Sequence, residues 1–260
     1  MSDLQDWFQT PPGQLVLTWE RARLDEALAD VFGYHALQVG LAGIDALAAN
    51  RMPHRWLAEE ALPAPQEASA PPRTALLTDS RALPFAEASL DLVVLPHTLE
   101  FSPDPHATLR EVQRVLVPEG RVAITGFNPH SLWGWRQWRA RWLGGRLYLP
   151  DVGEFIGPGR LRDWLRLLEF ELESAEFGCY QPAVRSAGAL ARFGWLERLG
   201  ERGWPILGAT YCIVAVKRVR GPLLIGQSWR KMAASVGKQP SIAGRVKPTG
   251  HPKENHFGSH

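Results

Sequence analysis

The pattern of apolar positions changes period along the chain, and each change marks an element. Leu15 to Phe32 has helical spacing, with Leu17, Arg21, Leu24 and Leu28 on one face and Ala27 and Val31 beside it. A helix is therefore expected ahead of the first strand. Short apolar runs follow: Ala36-Leu37-Gln38-Val39 stopped by Gly40, then Arg55 to Ala58, Thr74 to Thr78, Leu90 to Leu95, and Arg121 to Thr125 ended by Gly126. The third and fourth of these are apolar on both faces, as parallel strands covered by helices on each side must be.

The connections read as follows. Asp45 to Asn50 predicts an alanine-rich helical turn, whereas Leu62 to Arg73 holds Pro63, Pro65, Pro71 and Pro72 and predicts a loop. Asp104 stands in a cap position before Pro105, and Leu109, Val112 and Leu116 continue a helix closed by Pro118-Glu119-Gly120. Leu161, Trp164, Leu165 and Leu168 mark another amphipathic helix, and Phe170 to Phe177 and Ala209 to Val216 read as closing strands. This alternation predicts an α/β fold with a doubly wound, Rossmann-like, seven-stranded sheet. The sheet is mostly parallel, with helices on both faces and antiparallel pairing at its end.

Composition adds a division of the chain. A length of 260 residues at 45% hydrophobic suits one α/β domain with an appendage. The net charge of +2 conceals an uneven distribution: from Lys217 onward nine Lys or Arg face one acidic residue, Glu254. We therefore expect a domain over 1–219 and a basic, disordered tail over 220–260. That tail is either a solubilising extension or a surface for nucleic acid or an acidic protein partner.

The first residues carry no basic segment followed by an apolar one, and the run Pro205 to Val216 is too short to span a bilayer. A cytoplasmic protein is expected. Cys179 and Cys212 have neither CxxC spacing nor a histidine pair nearby, so they read as buried thiols and no metal is expected.

A dense aromatic and basic insert, near 131–149, follows the fifth strand. Trp135, Trp138 and Trp142 fall at i, i+3 and i+7, with Arg136 and Arg139 beside them. Three readings are open: a core stripe under a cap, a lid over the substrate with Trp135 against the acceptor, or a helix lying on a membrane surface.

In an open parallel sheet, ligands bind outside the carboxyl ends of the strands. The residues placed there are Gly40, Glu59 or Glu60, Asp79, His97 and Asn128, with His130 close behind. Asp91, ahead of an apolar strand, reads as a strand-entry cap.

The stretch from Thr78 to Pro129 is more specific. Asp79, then Leu83-Pro84-Phe85, then Ser89-Leu90-Asp91, then His97-Thr98-Leu99-Glu100 and finally Pro118-Glu119-Gly120 follow one another without a gap. This order resembles the region after the third strand in small-molecule class I S-adenosylmethionine-dependent methyltransferases, and the flanking elements extend the likeness over Val31 to Val219. The resemblance implies that S-adenosylmethionine is the cofactor. It also implies that Asp79 accepts from the adenine amino group and that the Ser80 amide reads the ring. Glu59 or Glu60 would hold the ribose hydroxyls, Leu83 and Phe85 would pack, and His97 would lie beneath the methyl-bearing end.

One segment departs from that family. Its glycine loop reads acidic-x-Gly-x-Gly-x-Gly, and here stands Gln38-Val39-Gly40-Leu41-Ala42-Gly43-Ile44, with only Gly40 in register. Gln38 can hydrogen-bond but offers no charge to the cofactor's ammonium group. The expectation is a methyltransferase acting on a small molecule or an unidentified acceptor, with His97 as base and Asn128, His130 and Trp135 near the substrate. The rival expectation is an inactive member of the fold that binds nucleic acid or protein through its tail.

Overall fold

The computed structural model describes residues 2–60, 75–151 and 154–218. Its centre is a seven-stranded sheet built from β1 (His35–Val39), β2 (His54–Glu59), β3 (Ala75–Leu77), β4 (Leu90–Pro96), β5 (Leu116–Phe127), β6 (Phe170–Gly178) and β7 (Thr210–Lys217). The strand order is β3-β2-β1-β4-β5-β7-β6. The first five are parallel, and β7 runs antiparallel between β5 and β6. The doubly wound, mostly parallel fold read from the sequence is thus the fold observed.

Alternation along the strands divides the core into two layers. Ala36, Leu92, Val94, Ala123 and Val214 face one side, where α1 (Ser2–Phe8), α2 (Pro11–Leu28) and Trp133 cover them. Leu37, Val39, Val93, Leu95, Val122 and Ile213 face the other, under α4 (Pro105–Val115) and α6 (Pro158–Leu167). Between β4 and α4 lies the single-turn helix α3 (Thr98–Phe101). The helix α5 (Leu132–Leu143) follows β5, and α7 (Ala187–Arg192) and α8 (Trp195–Gly203) precede β7.

Local chemistry explains the helix starts. Thr10 accepts from the Gly13 amide to cap α2, and Asp104 accepts from the Ala107 amide to cap α4, each ahead of a proline at the first helical position. Asp91 Oδ2 accepts from the amides of Tyr34 and His35, each at 2.9 Å, which is the strand-entry cap expected of it. On α2 the buried face holds Val16, Leu17, Glu20, Leu24 and Leu28, so Glu20 turns inward where the spacing had placed Arg21.

Three segments differ from expectation. Asp45 to Asn50 forms turns and no helix, because side chains take its backbone groups: Gln38 accepts from the Ala46 amide, Asp45 accepts from the Leu47 amide, and Arg55 donates to the carbonyls of Leu47 and Asn50, while Leu41, Ile44, Ala46 and Leu47 bury in the core. Pro118-Glu119-Gly120 is a bend inside β5, with Glu119 at φ 65°, and α4 has already ended at Val115. Strand β5 then continues past Gly126 to Phe127. The proline-rich stretch 62–73 and the basic tail lie outside the described residues, apart from the first residues of the basic run, Lys217 and Arg218.

Candidate active site

The parallel strands end on a common rim, and between the ends of β1, β2 and β4 lies a cleft lined by Gly40, Ala58, Glu60, Ser80, Thr98 and Phe101. Its floor is fixed by backbone chemistry. The Gly40 amide donates to Ala58 O at 2.7 Å and the Thr98 hydroxyl donates to Val39 O at 2.5 Å, tying β1 to β2 and to the start of α3.

The loop leaving β1 turns sharply. Gly40 lies at φ 82°, a conformation natural to glycine, and Leu41 follows at φ 54°. Gln38 is what holds the loop. Its Nε2 donates to the carbonyls of Gly40, Leu41 and Ile44, and its Oε1 accepts from the Ala46 amide. The side chain is buried and spent on its own loop, so Gln38 does not reach into the cleft.

The two glutamates at the end of β2 separate. Glu59 is buried, and its Oε1 accepts from the Ala42 amide at 2.5 Å. Glu60 is exposed on the cleft wall, with Oε1 3.3 Å from the Ser80 hydroxyl. Ser80 is buried and also meets Thr108 Oγ1 at 3.2 Å. Asp79 pairs with Arg81, whose Nε and Nη2 donate to the two carboxylate oxygens. The Arg81 side-chain and backbone donors hold the Asp79 carboxyl at a pKa of about 2.

His97 ends β4 in the left-handed region, φ 53°, and is fully buried. Its Nδ1 lies 2.7 Å from Glu100 Oε2, and its Nε2 lies 2.9 Å from Glu20 Oε1. Glu100 Oε1 accepts from the Phe127 amide at 2.6 Å, and Thr210 donates to Glu20 Oε1 at 2.9 Å. Burial alone would lower the His97 pKa, but the two carboxylates outweigh it and raise the value to about 10. Burial pushes the Glu100 carboxyl up, against the pull of His97. Glu20 Oε2, also buried, has no hydrogen-bond partner among the described residues. The imidazolium that results has both N–H groups engaged and no lone pair with which to accept a proton. The structure therefore does not bring His97 to the cleft as a free base.

The family-model match covers residues 54–124, which fit a methyltransferase domain. Over 214 residues the chain is 30% identical to the uncharacterized protein YafS of Escherichia coli K12, covering 82% of this chain and 80% of that one. Among solved structures it superimposes on one from the Haloferax volcanii complex of the Trm112 methyltransferase activator with a methyltransferase. There the TM-score is 0.58 at 17% identity, over 85% of this chain and 98% of the other. An S-adenosylmethionine-dependent methyltransferase of Thermotoga maritima gives a TM-score of 0.55 at 15% identity, over 78% and 92%.

The chain belongs to the class I S-adenosylmethionine-dependent methyltransferases. The cofactor of that family is S-adenosylmethionine. The residues at the cleft suit its nucleoside half: Glu60 offers an exposed carboxylate for a diol, and Ser80 lies opposite it beside Asp79. At the end of β1 no helix follows directly after Gly40, and the Ala42 amide is already held by Glu59.

The three residues expected near the substrate do not converge. Asn128 is buried, donating to the carbonyls of Ile206 and Gly208 and accepting from the His130 amide. It joins the end of β5 to the turn before β7. His130 is exposed and packs against the Gly157 backbone at the start of α6. Trp135 is exposed on α5 with the Arg139 guanidinium over its ring.

Sequence reasoning missed Glu20 and gave Glu100 no role. Glu100, three residues after His97, was open to a local reading as a histidine partner. Glu20 was not, because 77 residues separate it from His97.

Proposed function

We propose that this protein transfers the methyl group of S-adenosylmethionine to a small-molecule acceptor. The observation that carries the reading is the cleft over Gly40, with the exposed carboxylate of Glu60 accepting from the Ser80 hydroxyl at the strand ends where this family binds its cofactor. Glu60 holds the ribose hydroxyls. Asp79 takes the adenine amino group once Arg81 swings away, and the Ser80 amide reads the ring. Gly40 lets the backbone approach the cofactor, and the Ala42 amide becomes available when Glu59 releases it. When bound, the cofactor supplies an electrophilic methyl group.

The protein's own share is alignment and exclusion of water, and such positioning supplies about 7–11 kcal/mol in favourable cases. His97, clamped between two carboxylates, is a positioning residue that fixes the end of β4 and the start of α3. The test is calorimetric titration of the full chain with S-adenosylmethionine and S-adenosylhomocysteine, alongside Glu60→Gln. Saturable heat that Glu60→Gln abolishes supports the reading. Absence of heat and of thermal stabilisation at millimolar ligand overturns it.

A second reading is favoured by one feature, the Glu59 carboxylate on the Ala42 amide, which fills the loop without a ligand. On it, the protein keeps the fold without turnover and binds nucleic acid or protein through its basic C-terminal segment. Salt-dependent retention on nucleic acid, together with no cofactor heat, favours this second reading.

A further inference from the structure

The stripe Trp135, Trp138, Trp142 is not a core stripe. These rings are 56%, 58% and 78% exposed, and Leu132 and Leu143 beside them are exposed as well. What α5 buries is Trp133, Gly134 and Gln137. Gly134 lets the helix sit directly on the Pro129 backbone, where a Cβ would come within 2.3 Å of Pro129 O. At 3.6 residues per turn, the five exposed apolar residues fall within an arc of about 140°. The outward face of α5 is thus the apolar one, the reverse of a helix that packs only against its own domain.

The charges carried by α5 itself have one sign. From Ser131 to Pro150 the chain carries Arg136, Arg139, Arg141 and Arg146 and no acidic residue. Arg139 lies over the exposed Trp135 ring. Arg141 is paired with Asp151 and Arg136 reaches Ala183 O, so the cation placed on the apolar face is Arg139. Trp204, Ile206 and Leu207 are exposed too, and Asn128, three residues before the Ser131 cap of α5, donates to the Ile206 carbonyl at 2.7 Å.

Exposed tryptophan rings with arginine among them, and no acidic residue on the helix itself, match the headgroup layer of an anionic bilayer. There the rings sit at the boundary of acyl chains and water, and the guanidiniums meet phosphates. A protein partner would have to bring acidic groups and a matching apolar surface. A second copy of this chain brings the same cations to the same face. No described helix is long and apolar enough to cross a membrane, so the contact is one of lying on the surface.

We propose that the outer face of α5 docks this protein on the headgroup region of an anionic phospholipid bilayer.

The test is flotation of the full chain with vesicles of phosphatidylcholine containing phosphatidylglycerol, against phosphatidylcholine alone, with tryptophan emission followed in parallel. We expect retention on the anionic vesicles with a blue shift, both weakened by raised salt. The triple variant W135S/W138S/W142S should lose at least tenfold in retention, and Arg139→Glu alone should lose severalfold. All three tryptophans are exposed, so the melting temperature of the triple variant should match that of the parent. If that variant does not fold, Arg139→Glu decides the matter. No retention on anionic vesicles overturns the proposal. So does retention undiminished in both variants, which would place binding in the basic tail. A dimer in solution that W135S/W138S/W142S converts to monomer, without vesicle retention, assigns the face to self-association instead.

Discussion

Glu20 on α2 grips the Nε2 of His97 at the end of β4, and both side chains are sealed from solvent. An N-terminal helix is thereby fastened to the strand end at which this fold places its chemistry. With Glu100 on the other ring nitrogen, the histidine becomes an imidazolium between two carboxylates.

That arrangement makes stability depend on pH. The folded pKa of His97, about 10, lies above its ordinary 6.5, so its stabilisation is complete below pH 6.5 and is lost as pH rises toward 10. The raised pKa of Glu100 acts in the same direction, since a carboxyl that prefers its proton when folded loses stability as pH rises. Between pH 6.5 and 7.5, before the thiols exposed on unfolding begin to ionise, denaturant melts should show stability falling. The slope should approach about 1.4 kcal/mol per pH unit for one proton. His97→Asn should flatten this slope; an unchanged slope would mean that His97 is not the titrating group.

Removing one carboxylate from the cluster leaves the imidazolium half-paired in the interior. Glu20→Leu should cost about 3–5 kcal/mol, the range for breaking a buried ion pair from one side. Glu20→Gln, which can still accept at its oxygen, should cost less. Equal costs for the two would argue that packing, not charge, sets the loss.

The two glutamates of β2 should separate by assay. Glu60 is exposed on the cleft, so Glu60→Ala is expected to lower S-adenosylhomocysteine affinity at least tenfold and leave the melting temperature unchanged. Glu59 is buried on the Ala42 amide, so Glu59→Ala should lower the melting temperature as well, with the orphaned amide costing about 1–3 kcal/mol.

Arg81 occupies both oxygens of Asp79 at the protein surface. If adenine must take that place, Arg81→Ala should tighten cofactor binding severalfold with no change in melting temperature. Weaker binding by titration calorimetry would show that the guanidinium contacts the ligand.

The tryptophans of α5 give a contrast within one helix. Trp133 is fully buried and donates to Gln181 O at 2.6 Å, whereas Trp135 is exposed. Trp133→Ala should cost about 3–5 kcal/mol, and Trp135→Ala should stay within about 0.5 kcal/mol. Chemical denaturation of the two variants checks both.

Much of the fold was legible because a strand buried on both faces leaves a continuous apolar run, and because Asp104 and Pro105 mark a helix start in any context. The Trp135, Trp138, Trp142 spacing gave a helical face correctly but not its direction. Periodicity is the same whether a stripe faces the core or the solvent, and the buried Trp133 lies off that stripe. The missing helix after Gly40 was illegible for another reason. Alanines in Asp45–Asn50 favour a helix locally, and the segment is held in turns by side chains that the pattern does not reveal: Gln38 on the backbone of residues 40, 41, 44 and 46, and Arg55 on the carbonyls of Leu47 and Asn50. At the site, Gly40, Glu59 or Glu60, and Asp79 were placed at strand ends by pattern and Ser80 by the resemblance, whereas the inward turn of Gln38, Asn128 and His97 depends on partners distant in sequence or on side-chain rotamers.

Phe127 and Asn128 are consecutive on the chain. The first gives its amide to Glu100 and so to the charged cluster around His97; the second clasps the carbonyls of Ile206 and Gly208. One peptide unit therefore separates the protein's most deeply sealed charges from one of its most outward-facing apolar turns. Displacing that turn must either break the clasp of Asn128 or drag the strand end that Glu100 holds.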